Sequence, residues 1–238
     1  MTSRRQLTGD EHHRDVQGGW TRAAVFGVSD GLVTNVSLIL GVAGAHPAGD
    51  VVRISGLAGL VAGAFSMAAG EYVSMRAQQE LLERELDVER QAIRKSPEAE
   101  RRELTAIYEK RGVDPTAARE LAGEMMRSPE LALQTHAREE LGINPAQLGS
   151  PFLAAVSSFV TFAVGALLPL LPWLFTSGTR AIWASVVVGG VAALSVGVIV
   201  GLLSGRPTWK TGLRQLALAA LAAGVTYGIG RLAGGGKA

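Results

Sequence analysis

Three sets of side chains in this sequence could hold a metal ion. The first is a carboxylate, Asp30, inside the apolar stretch VFGVSDGLVTNVSLILGVAGA that runs from Val25 to Ala45. An acid at the centre of a membrane helix costs roughly 2.5–3.5 kcal/mol, so it reads as functional by default. The second is the thioether of Met67 in SGLAGLVAGAFSMAAGEYVSM, with Glu71 one helical turn further on. A hard carboxylate and a soft thioether together suit a borderline divalent ion such as Fe²⁺ better than Na⁺, Ca²⁺ or Mg²⁺. The third is a series of acids at helical steps: Glu85 and Glu89, Glu100 and Glu103, Glu120 and Glu124, and His136 with Glu140. Residues three or four apart share a helix face, and like charges there repel unless a cation sits between them. The plain alternative is solvated helix surface for the acids and packing for Met67, as it is for Met125 and Met126.

These groups sit on two kinds of material. The segment from Arg76 to Glu140 holds 15 of the 21 acidic and 12 of the 23 basic residues. Outside it lie five apolar runs, about 24–45, 52–72, 152–175, 181–204 and 213–230, each near the roughly 20 residues a spanning helix needs. The expected fold class is therefore all-α: a polytopic membrane protein of five transmembrane helices with a helical domain inserted between the second and third. Expected boundaries are a tail over 1–22, spans one and two over 23–74, the inserted domain over 75–149, spans three to five over 150–233 and a tail over 234–238.

Local signals refine this. The stretch EYVSMRAQQELLERELDVERQAIR has no Pro or Gly, so the second span should run on beyond the membrane as one long helix. Ser96, Asp114 and Ser128 each precede a proline as N-caps, and Gly112 and Gly142 are expected stops. Pro169 and Pro172 should kink or end the third span. Gly59 and Gly63, Gly197 and Gly201, and Gly224 and Gly228 have the small-xxx-small spacing of close helix contacts.

Arg4, Arg5, Arg14 and Arg22 precede the first span, and Arg206, Lys210 and Arg214 lie between the fourth and fifth, whereas the other short loops carry only Arg53 and Arg180. The positive-inside rule then puts the amino terminus and the inserted domain in the cytosol, with no signal peptide expected. A net charge of +2 gives no reason to expect nucleic-acid binding, and the absence of Cys removes thiolate sites and disulfides. Its Ala, Gly, Val and Arg content suggests a bacterial chain in the plasma (inner) membrane.

FGVSDGLVTNVSLILGVAGA, GLAGLVAGAFSMAAGEYVSM, the Glu-rich insertion and GALLPLLPW, in that order and spacing, resemble the vacuolar iron transporter family. The resemblance implies a homodimer of five-span subunits, an ion path between first and second helices at the dimer interface, and a cytosolic three-helix metal-binding domain. It also implies export of Fe²⁺, and of other divalent metals, from the cytosol against a proton gradient, with membrane lipid as surroundings and no resident cofactor. Carried over by position, the intramembrane ligands are Asp30 and Met67, and the cytosolic ones Glu89, Glu100, Glu103 and Glu140; Glu71, Glu85 and His136 join them by spacing. Some relatives have an acid where this chain has Gly59, another near Ala92, and Met near His136 and Ala137. The rival readings are a Mn²⁺ exporter of the same fold and a membrane-anchored metal sensor or buffer, for which a buried Asp30 would have no use. A ferritin-like oxidase is disfavoured, since the insertion offers only His136 where Glu-x-x-His pairs are wanted.

Overall fold

The computed structural model describes residues 19–142 and 149–235, which form eight α-helices and no strand. The expected amino-terminal tail falls largely, and the last three residues wholly, outside the described residues. In chain order the helices are α1 (Gly19–Gly44), α2 (Gly49–Lys95), α3 (Pro97–Lys110), α4 (Pro115–Met125), α5 (Pro129–Glu139), α6 (Pro151–Phe175), α7 (Gly178–Ser204) and α8 (Thr208–Gly234). Five of them, α1, α2, α6, α7 and α8, are long and apolar enough to cross a membrane. Many of their large apolar side chains point outward, among them Leu57, Val61, Val160, Val187, Leu202 and Leu221. In water these would be a liability; against lipid they are the solvent-facing surface.

Helix α1 is the hub, packed on α6 and α8 and flanked by α2 and α7. Lipid provides no hydrophobic drive for helix association, so the contacts rely on close approach and polar links. A β-carbon at Gly31 would stand 2.1 Å from the Phe162 carbonyl oxygen, so only glycine lets α1 meet α6 there. The wholly buried Asn35 donates from Nδ2 to the Ala166 carbonyl at 2.6 Å, and Gln215 of α8 donates to the Ser29 hydroxyl. Of the glycine pairs, Gly197 and Gly201 do receive the α8 backbone at Thr211 and Thr208, whereas Gly224 and Gly228 face open space. Gly59 and Gly63 accommodate side chains instead, Leu38 and Phe162.

Pro169 and Pro172 do not end α6, which runs through both to Phe175. The carbonyls the prolines leave without a helical donor are those of Gly165 and Leu168, four residues earlier, and the Ser185 hydroxyl of α7 ties the two helices nearby by donating to the Pro169 carbonyl at 2.7 Å.

Helix α2 is one unbroken rod of 47 residues. At 1.5 Å per residue it is about 70 Å long, more than twice the roughly 30 Å of bilayer hydrocarbon. Its charged second half therefore projects beyond the membrane, as the absence of Gly and Pro after Glu71 led us to expect. Against it pack α3 and α5, with α4 laid on α3. Asp114 caps α4 by accepting from the Thr116 and Ala117 amides, and Ser128 caps α5 through Leu131; Ser96 precedes α3 without a side-chain cap bond. Gly112 and Gly142 follow α3 and α5 with φ of +90° and +67°, where a side chain would be strained. Leu104, Tyr108, Ala118 and Ala122 form a small core between α3 and α4, and Met125 and Met126 pack against it rather than standing free as donors.

Candidate metal centre

Where α3 and α5 meet the projecting half of α2, four ionisable side chains converge. His136 from α5 is wholly buried, and its Nδ1 lies 3.1 Å from Glu89 Oε1, 3.5 Å from Glu140 Oε2 and 3.9 Å from Glu100 Oε2. Glu89 belongs to α2 and Glu100 to α3, while Glu140 follows His136 by one turn at the end of α5. Glu89 and Glu100 are themselves about nine-tenths buried. One ligand atom each from Glu89, Glu100 and His136 lie within 4.8 Å of one another.

Despite that proximity, neither imidazole nitrogen has a hydrogen-bond partner, and nor does Glu89 Oε1. An unsatisfied buried polar atom costs about 1–3 kcal/mol, and a cation beside His136 Nδ1 and Glu89 Oε1 would satisfy both; Nε2, on the opposite side of the ring, cannot share it. Their separations are those of a metal shell: ligands about 2.1 Å from an octahedral ion stand about 3.0 to 4.2 Å apart.

The electrostatics agree. Glu89 lies 15 residues, about 20 Å of helix, beyond Ser74, well clear of the apolar half of α2. Burial lifts both the Glu89 and the Glu100 carboxyls above the usual carboxylate range; His136 opposes this, and the charges of Glu103 and Glu140 push further up. Without a cation the cluster resists ionisation, and a divalent ion removes the reason.

The expected residues divide accordingly. Glu89, Glu100, Glu140 and His136 come together. Glu103 is exposed and acts on the cluster through its charge, and Glu85 is exposed on α2, a turn before Glu89. The central place of His136, which the alternation of acids did not reveal, depends on α5 docking against α2.

Within the membrane-spanning part, Asp30 is half-buried and its Oδ1 accepts from the Thr34 hydroxyl at 3.3 Å. Phe26, Asp30 and Thr34 line one strip of α1, and Phe26 is 61% exposed. Met67, also half-buried, packs at the edge of the cluster formed by Ala64, Phe162 and Ala166. Helices α1 and α2 run antiparallel in a readable register: Arg22 meets Glu71, and Ile39 lies against Gly56. That register puts Glu71, Met67 and Asp30 at successive depths, about one turn apart. Glu71 is not free, since the Arg22 guanidinium holds it at 3.1 Å. At Gly59, where some relatives carry an acid, a β-carbon would stand 2.3 Å from Leu38 Cδ2, so Leu38 fills that space.

A cavity of about 650 Å³ opens between α1, α7 and α8, bounded by Val36, Leu40, Ile182, Ala223 and Tyr227 among others. No carboxylate lines it, and it is not on the Asp30 strip.

The profile of the VIT family matches residues 21–231. Over 163 residues the chain is 42% identical to a vacuolar iron transporter of Acanthamoeba castellanii, the alignment covering 68% of this chain and 59% of that protein. It is 30% identical over 224 residues to vacuolar iron transporter 1 of Oryza sativa subsp. japonica, covering 92% and 89% of the two chains. With vacuolar iron transporter 1 of Arabidopsis thaliana it shares 27% over 221 residues, or 91% and 88%.

Proposed function

The chain belongs to the VIT family of vacuolar iron transporters, and we propose that it carries Fe²⁺ out of the cytosol across a membrane in exchange for protons. The observation that carries this reading is the buried convergence of Glu89, Glu100 and His136, in which Glu89 stands on the same helix as Met67 and Glu71. Helix α2 is at once a collecting arm and a wall of the path. The cluster captures the ion from the cytosol, Glu71 and Met67 receive it, and Asp30 replaces part of its lost water shell at depth. The carboxylates then return a proton in exchange, and no covalent chemistry is required.

The membrane strip supports a homodimer. In one chain Phe26 and Thr34 of α1 and Ile54, Leu57, Val61 and Phe65 of α2 are exposed, and Asp30 is half-buried. An acid facing lipid is expensive, and a second copy laid on this face would enclose the two Asp30 carboxylates in a shared path. The positive-inside pattern supports a cytosolic amino terminus and cluster.

A second reading, Mn²⁺ as cargo, is favoured by the makeup of the cluster. Its donors are carboxylate oxygens and one imidazole with no thioether, which suit Mn²⁺ as well as Fe²⁺. Uptake of each metal by liposomes holding the purified chain, with and without an imposed pH gradient, tests both. Flux of Fe²⁺ that accelerates with a proton gradient supports the reading; gradient-independent flux removes the proton coupling, and absence of flux removes transport.

A further inference from the structure

At the cytosolic end of the α1–α2 cleft, the Glu71 side chain is only 14% exposed, while Arg22, which holds it at 3.1 Å, is 69% exposed. The two halves of this ion pair are unequal. The carboxylate is fixed and desolvated, and needs a cation; the guanidinium is already in water and free to swing away. Glu71 also stands one turn above Met67, at the top of the series that descends to Asp30.

We propose that Arg22 is a tethered stand-in for the metal: it occupies Glu71 between transport events, and an arriving divalent ion displaces it. Resting on the transport reading, this adds a role for a residue outside the metal ligands. A pair with one partner in water is weak, so displacement is easy. A dication outbids a single positive charge at the same carboxylate, whereas a monovalent ion gains nothing over the guanidinium already there. Arg22 cannot follow the ion inward, because its backbone is fixed in α1 and a guanidinium has no use for the Met67 sulfur. Once the ion has moved on, Arg22 closes on Glu71 again and neutralises it.

The test is metal uptake into liposomes by the full chain, read as KM and Vmax separately, with thermal unfolding of each variant alongside. Arg22→Gln removes the competitor, so KM should fall about two- to fivefold, the fold-change an exposed ion pair represents, with Vmax kept. Arg22→Lys, a point charge without the guanidinium fork, should give a KM between the two, and serves if Arg22→Gln does not fold. Glu71→Gln should raise KM, and the double variant should behave as Glu71→Gln does. A merely structural pair predicts the opposite pattern: lower melting temperature and Vmax in Arg22→Gln with KM unchanged or raised. That result, or a double variant with a lowered KM, overturns the proposal. If wild type carries metal and Asp30→Asn does not, such a result sinks the role of Arg22 alone; if wild type carries none, the transport reading fails and takes this with it.

Discussion

Replacing Glu100 by Gln separates a metal cluster from a solvated acidic surface. The substitution keeps the shape of a side chain about nine-tenths buried and removes one of the charges around His136. Without metal the change should help slightly. Like charges three residues apart on a helix cost about 0.2–0.5 kcal/mol, and Glu103 stands in that relation to Glu100. Amide exchange in α3 and α5 of the full chain should then slow by about 1.4- to 2.3-fold. With metal the sign reverses. At a free concentration of 100 Kd, an ion bound only by the folded cluster stabilises it by about 2.7 kcal/mol, which slows exchange about 100-fold. Loss of a supporting group weakens such sites 10- to 100-fold. Taking the upper figure for a direct ligand, the same metal concentration stabilises the variant by only about 0.4 kcal/mol, or twofold. Hydrogen exchange of α3 and α5 with and without Mn²⁺ reads both effects in one experiment. If wild type shows no metal-dependent protection, or Glu100→Gln keeps the full effect, the convergence on His136 is an accident of packing.

Metal binding by the cluster should weaken as pH falls from 7 to 5, because Glu89 and Glu100 titrate above the usual carboxylate range and protons compete early; calorimetry in two buffers should find protons released as metal binds. The metal-free domain should move the other way, since a carboxyl raised in the folded state favours folding below its unfolded pKa and loses that contribution as pH rises through the folded one. Thermal melts of metal-free protein at pH 5 and 7 check the sign, and greater stability at pH 7 contradicts it. Gly31→Val should unfold or severely destabilise the chain, by about 1–3 kcal/mol or more, whereas Gly224→Ala, with nothing within 4 Å, should melt like wild type in detergent. Met67→Leu should preserve packing against Phe162 while slowing Fe²⁺ more than Mn²⁺; equal slowing would make Met67 a packing residue.

The parts of this fold that depend on local physics were legible in the chain itself. Five apolar runs gave five spanning helices, and the unbroken stretch after Glu71 gave the projecting half of α2. Serine or aspartate before proline marked the starts of α3, α4 and α5. What the chain hid depends on which surfaces meet. Glu103 looked the equal of Glu100 because both share a helix face, but only Glu100 turns toward α2, and the buried centre is His136, brought there by α5. Arg22 read as a topology marker, since nothing local links it to a residue 49 positions away. The prolines of α6 were overestimated as helix ends, since α6 runs through both to Phe175. Identical glycine spacing served close contact at Gly197 and open space at Gly224.

The central claim is that an ion held first by the cluster is passed to Asp30. Its most direct test compares wild type with Asp30→Asn, in which the amide keeps the size and removes the charge that replaces the ion's water. Metal binding to the cluster and metal flux into liposomes are measured on the same preparations. The account predicts unchanged binding and abolished flux in Asp30→Asn. Flux at the wild-type rate would contradict it.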